Sequence, residues 1–341
     1  MSKVKSIQFC DATIYPGEQA NLALPLPELY SCAPMYMPIK ILHGKNPGPC
    51  VLIFATLRGS ESNGFEIINR LLRQHLDVNQ LAGTLIAVPV VNIYGFTRLT
   101  RTLPSGMDID RCFPGQEDGN YGQRIAYTFT QQILLKADYC IELQSGEANH
   151  DILPQIYCNF DYPETKQLAK AFQTPCITNV KVKPNSIRET TEKLNIPLLV
   201  YEAGEALRFN EGAILQGING VINVLQTLEM LAKPNTENNT TVNPVFSEDQ
   251  EWILSPKGGV LYNAVSLGET VKSGQKLGHI TDPFGGELVE TIKASQNGIV
   301  VGINNNPLIY EGQSIFKIAS FLDIERAENS IGQWEEQLQD N

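Results

Sequence analysis

The stretch from Val51 to Gly64 constrains this chain more than any other. Val51-Leu52-Ile53-Phe54-Ala55 is a continuous apolar run of strand length, the pattern of a strand buried on both faces. The run ends at a glycine turn, and a helical periodicity follows from Glu61 to His75. Open α/β sheets gather their chemistry where a strand feeds a helix, outside the carboxyl ends of the strands. Arg58, Ser60, Glu61 and Asn63 crowd this one turn.

The same alternation continues to about Leu231. Further strands are expected at Leu85–Val91, Tyr139–Leu143 and Pro197–Tyr201, and helices at Gly122–Lys136, Pro163–Phe172 and Glu211–Leu231. It predicts an α/β fold of three layers, a mixed but mainly parallel sheet with helices on both faces. Residues 1–48 read as β-rich pieces broken by Pro and Gly, and residues 1–235 as one α/β domain. The polar run from Lys233 to Thr241 starts a linker expected over 236–250. Residues 251–320 show short β runs between glycine turns, which predicts a small all-β sandwich or barrel. Residues 321–341 are Glu/Gln-rich and read as a helical or frayed tail.

With a net charge of −11, nucleic acid and anionic membrane surfaces are poor partners. The start of the chain lacks the pattern of a signal peptide, and no apolar run reaches membrane-span length, so a cytoplasmic setting is expected. The seven cysteines include no Cys-x-x-Cys pair and are expected to behave as small buried hydrophobes. His43, beside a turn glycine, is expected at the surface, and His75 and His279 in structural roles.

Three further polar stretches fall at or just after expected strand ends. They are Asn92 through Arg101 to Asp108-Ile109-Asp110-Arg111-Cys112-Phe113-Pro114-Gly115, then Glu142-Leu143-Gln144-Ser145-Gly146, then Tyr201-Glu202-Ala203-Gly204. In order and spacing, these motifs and the turn at Arg58-Gly59-Ser60-Glu61 resemble the succinylglutamate desuccinylase/aspartoacylase family. The resemblance runs from about Ile39 to Ile318 and includes Gly258-Gly259 and Asp282-Pro283-Phe284-Gly285 in the closing β region. It implies a zinc-carboxypeptidase-like α/β fold with a small β domain. It also implies hydrolysis of N-acyl amides of small carboxylate compounds with one zinc. Glu202 is implied as the general base. Arg111, Arg101 and the Asp110 position are implied to meet the substrate carboxylate, and Glu61 to be a metal ligand.

The chain departs from that pattern at the metal. The family's two histidine ligands are replaced by Arg58 and Gln144. Arginine offers no lone pair, and an amide oxygen is a weak zinc ligand. Asp110 stands where the family has Asn, and a carboxylate there would repel an anionic substrate. The expectation is therefore that the zinc implied by the family is lost. Arg58 would then supply its positive charge, paired with Glu61 and with Glu202 or Glu142. One alternative metal set is His150, Glu61 and Glu142, should His150 enter the cleft. Two readings of function follow: a hydrolase with a rebuilt site, or a silent relative that binds a small carboxylate or a protein partner. Asp108 and Arg111 could simply form a local ion pair. The β region also resembles lipoyl and biotinyl carriers, but Lys276 and Lys293 lack the expected setting, leaving a lid or oligomerisation role.

Overall fold

A computed structural model describes residues 4–30, 32–179, 182–233 and 242–339. The chain opens with β1 (Ile7–Phe9), β2 (Ala12–Ile14), β3 (Glu18–Pro25), β4 (Tyr36–His43) and β5 (Asn46–Ala55). Next come α1 (Asn63–Arg70), β6 (Ala82–Val88), α2 (Ile93–Arg98), α3 (Tyr121–Gln132) and β7 (Tyr139–Gln144). After these are β8 (His150–Cys158), α4 (Pro163–Phe172), β9 (Cys176–Asn179), α5 (Ile187–Lys193), β10 (Leu198–Gly204) and α6 (Glu211–Thr227). The remainder is β11 (Val245–Leu254), β12 (Gly259–Asn263), β13 (Thr270–Val271), β14 (Lys276–Thr281), β15 (Leu288–Lys293), β16 (Gly298–Asn304), β17 (Leu308–Ile309), β18 (Ser314–Phe321) and α7 (Ile324–Gln339).

Twelve strands form the main sheet, in the order β13-β16-β18-β11-β9-β8-β10-β7-β5-β6-β4-β3. Its centre, β10-β7-β5-β6, is parallel, and antiparallel pairs lie on both sides. Successive side chains of β5 enter two different cores, as a pleated strand requires. Leu52 and Phe54 pack with Ile125 and Phe129 of α3 on one face. Val51, Ile53 and Ala55 pack with Ile67 of α1 and Ile214, Ile218 and Val221 of α6 on the other. This is the three-layer arrangement expected from the sequence. Helix starts are set by local chemistry. Asn120 and Gln123 form a reciprocal capping box on α3, and the Asn210 side chain accepts from Ala213 N–H at the start of α6.

The C-terminal all-β region is joined to the α/β part through the sheet. Strand β8 pairs with β9, β9 with β11, β11 with β18, β18 with β16, and β16 returns to β8. These five strands close a ring, and the four-stranded sheet β15-β14-β12-β17 packs on it through Leu261, Leu277, Phe316 and Ile318. Helix α7 covers the ring with Ala327 and Ile331. The linker expected over 236–250 is corrected here. Residues 236–241 lie outside the described residues, but Val245–Leu254 is strand, buried at Val245. Its Asp249 and Gln250 line a polar cleft, so no apolar alternation marks that stretch.

Two smaller expectations are also corrected. His43 is buried, with Nδ1 at 2.9 Å from Thr84 Oγ1 and Nε2 at 2.9 Å from the Lys5 carbonyl. The cysteines are not uniformly buried, since Cys10 and Cys32 are exposed. Among the described residues no helix is long and apolar enough to cross a membrane.

Candidate active site

The parallel register brings the expected residues together. Glu202 on β10 is paired with Gln144 on β7, and Leu143 with Ala55 on β5, so three strand ends lie side by side. Glu142, Gln144 and Glu202 share one face because alternate residues of a strand do. The turn after β5 is locked by its neighbours. A Cβ on Gly59 would lie 1.9 Å from the Gly95 carbonyl carbon, so only glycine lets the turn pass this close to α2. Buried Asn92 accepts from Gly95 N–H at 2.8 Å and donates to the carbonyls of Leu57 and Arg101.

This turn aims Arg58 inward. Its Nη1 donates to Glu61 Oε1 at 2.9 Å and to Gln144 Oε1 at 3.3 Å. Gln144 in turn donates to Glu142. An amide can accept from a cation on one side and donate to a carboxylate on the other, so Gln144 bridges the two. All three positions that the family resemblance assigns to metal ligands therefore converge, with a guanidinium at the point of convergence. Burial alone would lower the Arg58 pKa, but Glu61, Glu142, Glu202 and Asp110 hold it above its ordinary value. Burial pushes Glu61 up to about 8, with Arg58 pulling it down and Glu142 adding to the rise. Burial and Asp110 push Glu142 up to about 7 against Arg188 and Arg58. Glu61 Oε2, Glu142 Oε2 and Arg58 Nε are buried without a hydrogen-bond partner among the described residues.

The donor set does not fit zinc. Catalytic zinc takes three protein ligands and an open position. Here one of the three side chains has no lone pair, and it already bonds the other two. The alternative set is not assembled either. His150 packs edge-on against Trp252 with ring centroids 5.2 Å apart, and it does not line the cleft.

Arg58, Gln144 and Glu202 line a cleft of about 700 Å³, joined by Tyr157, Asn159, Arg188, Gln250 and Lys317 among others. Burial raises the Tyr157 hydroxyl well above its ordinary value, and Glu202, within hydrogen-bonding range of it, adds to the rise. Lys317 donates to Tyr157 Oη at 2.6 Å. The Arg188 guanidinium lies 5.4 Å from the Tyr157 ring centroid, inside cation–π range. Gln250 donates to Gln155 Oε1 and Thr178 Oγ1, both at 2.6 Å, which fixes the cleft wall. Arg58 also lines a smaller cavity of about 240 Å³ with Ser60, Glu61, Arg101 and Glu147. The cleft thus carries cations (Arg58, Arg188, Lys317) and acids (Glu202, Asp161, Asp249), a lining that suits a zwitterionic or carboxylate ligand.

The residues expected to hold the substrate carboxylate are distributed differently. Arg101 faces the smaller cavity and is held by Asp108 at 2.9 Å and by Glu147. Asp108 is therefore paired with Arg101 and not with Arg111. Arg111 is exposed and does not line the cleft. Asp110 turns inward and accepts from the Ile187 N–H at the start of α5, at 3.4 Å. Burial raises its pKa, while Arg58 and Arg188 lower it. Asp110 therefore positions α5 and its Arg188.

Arg188 and Lys317 were not found from sequence. Lys317 could have been flagged as a lone lysine within the apolar run Ile315-Phe316-Lys317-Ile318-Ala319. Nothing local distinguishes Arg188.

Comparison with known proteins bears on the family and the fold. The model of the succinylglutamate desuccinylase/aspartoacylase catalytic domain matches residues 47–228. The N-alpha-acetyl-L-2,4-diaminobutyric acid deacetylase of Halomonas elongata is 23% identical over 289 residues, 82% of this chain and 84% of that protein. A succinylglutamate desuccinylase/aspartoacylase from Rhodobacter sphaeroides superposes with a TM-score of 0.82 at 23% identity, covering 92% of this chain and 98% of that one. The product-bound ectoine utilization protein EutE (DoeB) from Ruegeria pomeroyi gives 0.80 at 21% identity, covering 88% and 95%. At these identities the structural likenesses show the fold.

Proposed function

This chain belongs to the succinylglutamate desuccinylase/aspartoacylase family of deacylases, and from that premise we propose that it binds a small N-acylated amino acid without zinc-dependent turnover. The observation that carries the reading is the Arg58 guanidinium bonded to both Glu61 and Gln144. A guanidinium there supplies positive charge to a carbonyl or carboxylate oxygen through N–H donors, as the zinc of relatives would through a Lewis-acid bond. Arg188 would take the ligand carboxylate. Glu202, with Asp161 and Asp249, would take an amino group. Loss of the metal removes what would acidify an attacking water, so Glu202 retains a base's position without its usual partner. The cytoplasmic setting and the small-molecule partner belong to the same proposal.

A second reading is a slow metal-free hydrolase, and the presence of Glu202 beside Arg58 in one cleft favours it. There Arg58 would polarise the acyl oxygen and Glu202 would take the proton of water.

The test is metal content together with binding. Protein stripped of metal and re-exposed to zinc should stay empty, and the R58H/Q144H variant should take up about one zinc per chain. Calorimetry with N-alpha-acetyl-L-2,4-diaminobutyrate should show binding to the metal-free wild type without release of acetate. Stoichiometric zinc in the wild type would overturn the proposal. Acetate release that is abolished in Glu202→Gln, with binding retained, would establish the second reading.

A further inference from the structure

Lys317 is left unexplained by carboxylate binding alone. It reaches the cleft from β18, more than a hundred residues after the family's last active-site motif, because the strand ring places β18 across from β8. Its Nζ lies 2.6 Å from Tyr157 Oη, 5.1 Å from the Tyr157 ring centroid and 5.8 Å from the Trp252 ring centroid. No carboxylate lies within ion-pair distance of it among the described residues. Glu202 is linked to it through the Tyr157 hydroxyl, which both groups meet. An amine among aromatic rings, hydrogen-bonded to a phenol and open to a cleft, is set up for nucleophilic chemistry rather than for an ion pair. Burial holds its ammonium below the ordinary lysine range against Glu202 and Cys176, with Arg188 and Lys183 adding to the lowering.

We propose that Lys317 forms a reversible Schiff base with a small 2-oxo acid held in the cleft. The Nζ lone pair attacks the keto carbon, and the carbonyl oxygen takes up a proton to give a carbinolamine. The carbon–oxygen bond then breaks and the oxygen leaves as water. The nitrogen loses its two protons overall, so ketone plus amine gives imine plus water with no oxidant or reductant. The Tyr157 hydroxyl, beside Nζ, delivers the proton to the departing hydroxyl, and the second proton lost from nitrogen passes to Glu202 and back to Tyr157, to which Glu202 is hydrogen-bonded. Arg188 and Arg58 hold the carboxylate next to the reacting carbonyl. The proposal rests on the reading of this cleft as a carboxylate site and is independent of whether amides are cleaved there.

The experiment is reductive trapping. The full chain is incubated with pyruvate and sodium borohydride, then analysed by intact mass and peptide mapping, with calorimetric binding of N-alpha-acetyl-L-2,4-diaminobutyrate as a control on the cleft. One reduced adduct per chain is expected, at Lys317, and it should be absent in Lys317→Arg. Tyr157→Phe should slow trapping by roughly a hundredfold, and acetone, which lacks the carboxylate, should label Lys317 far more slowly than pyruvate. Adducts scattered over surface lysines, or none, would overturn the proposal. Mapping of the wild type decides this even if a variant fails to fold. If no adduct forms while the N-acetyl compound binds, the Schiff base falls and the carboxylate site stands. If neither binds, both fall.

Discussion

Replacing Arg58 with methionine tests whether the guanidinium holds the converging side chains together. Methionine keeps an unbranched stem and removes the charge and the donors. Glu61 Oε1 and Gln144 Oε1 then lose their donor, and Glu61 is only 2% exposed, so water replaces it poorly. An unsatisfied buried acceptor costs about 1–3 kcal/mol, which gives a loss of about 2–6 kcal/mol at neutral pH for the two. The pH dependence has a definite sign. Burial pushes Glu61 from 4.5 to about 8, so the folded state favours its protonated form. That contribution is complete below the unfolded value of 4.5, declines as pH rises, and is fully lost above about 8 in the wild type. Without Arg58 the folded pKa climbs further and the decline continues. The gap between variant and wild type should therefore widen above pH 8 by about 1.4 kcal/mol per pH unit. Urea unfolding at pH 7 and pH 9 measures this as a shift in midpoint at constant slope. The Arg58→Met/Glu61→Leu double variant removes the stranded carboxyl, so the widening should vanish and part of the stability should return. A single variant within about 1 kcal/mol of wild type, with no widening at pH 9, would refute the reasoning.

Two other substitutions probe the frame of the site. Gly59→Ala puts a Cβ 1.9 Å from backbone of α2, so unfolding should show a loss of about 3 kcal/mol and the N-acetyl amino acid should bind more weakly as the Arg58 turn is displaced. Arg101→Ala removes a half-exposed ion pair with Asp108 and Glu147. It should leave stability within about 1 kcal/mol of wild type, while calorimetry reports whether the smaller cavity takes part of the ligand.

The sequence by itself determined the parts of this protein that depend on local pattern. The apolar run before Arg58, the alternation of strands and helices, and the order of the polar strand ends were enough to specify three layers and a site at the carboxyl ends of β5, β7 and β10. The convergence of Arg58, Glu61 and Gln144 was implied only by the family resemblance, which puts all three at metal-ligand positions, and the parallel register of β5 and β7 is what brings them together. Only the tertiary structure decided which side chains face the cleft from far away in the chain. Lys317 belongs to a β region that reads from sequence as a separate unit, and Gln250 to the linker expected before it, yet the pairing of β16 with β8 closes a ring and turns both into cleft wall. Arg111 and Asp110 are adjacent in sequence and point to opposite environments, one to solvent and one toward Arg58 and Arg188. Periodicity records which positions are apolar and buried. It carries no record of long-range strand pairing, nor of the direction of a polar side chain whose surroundings are themselves polar, and those two things set the chemistry of this cleft.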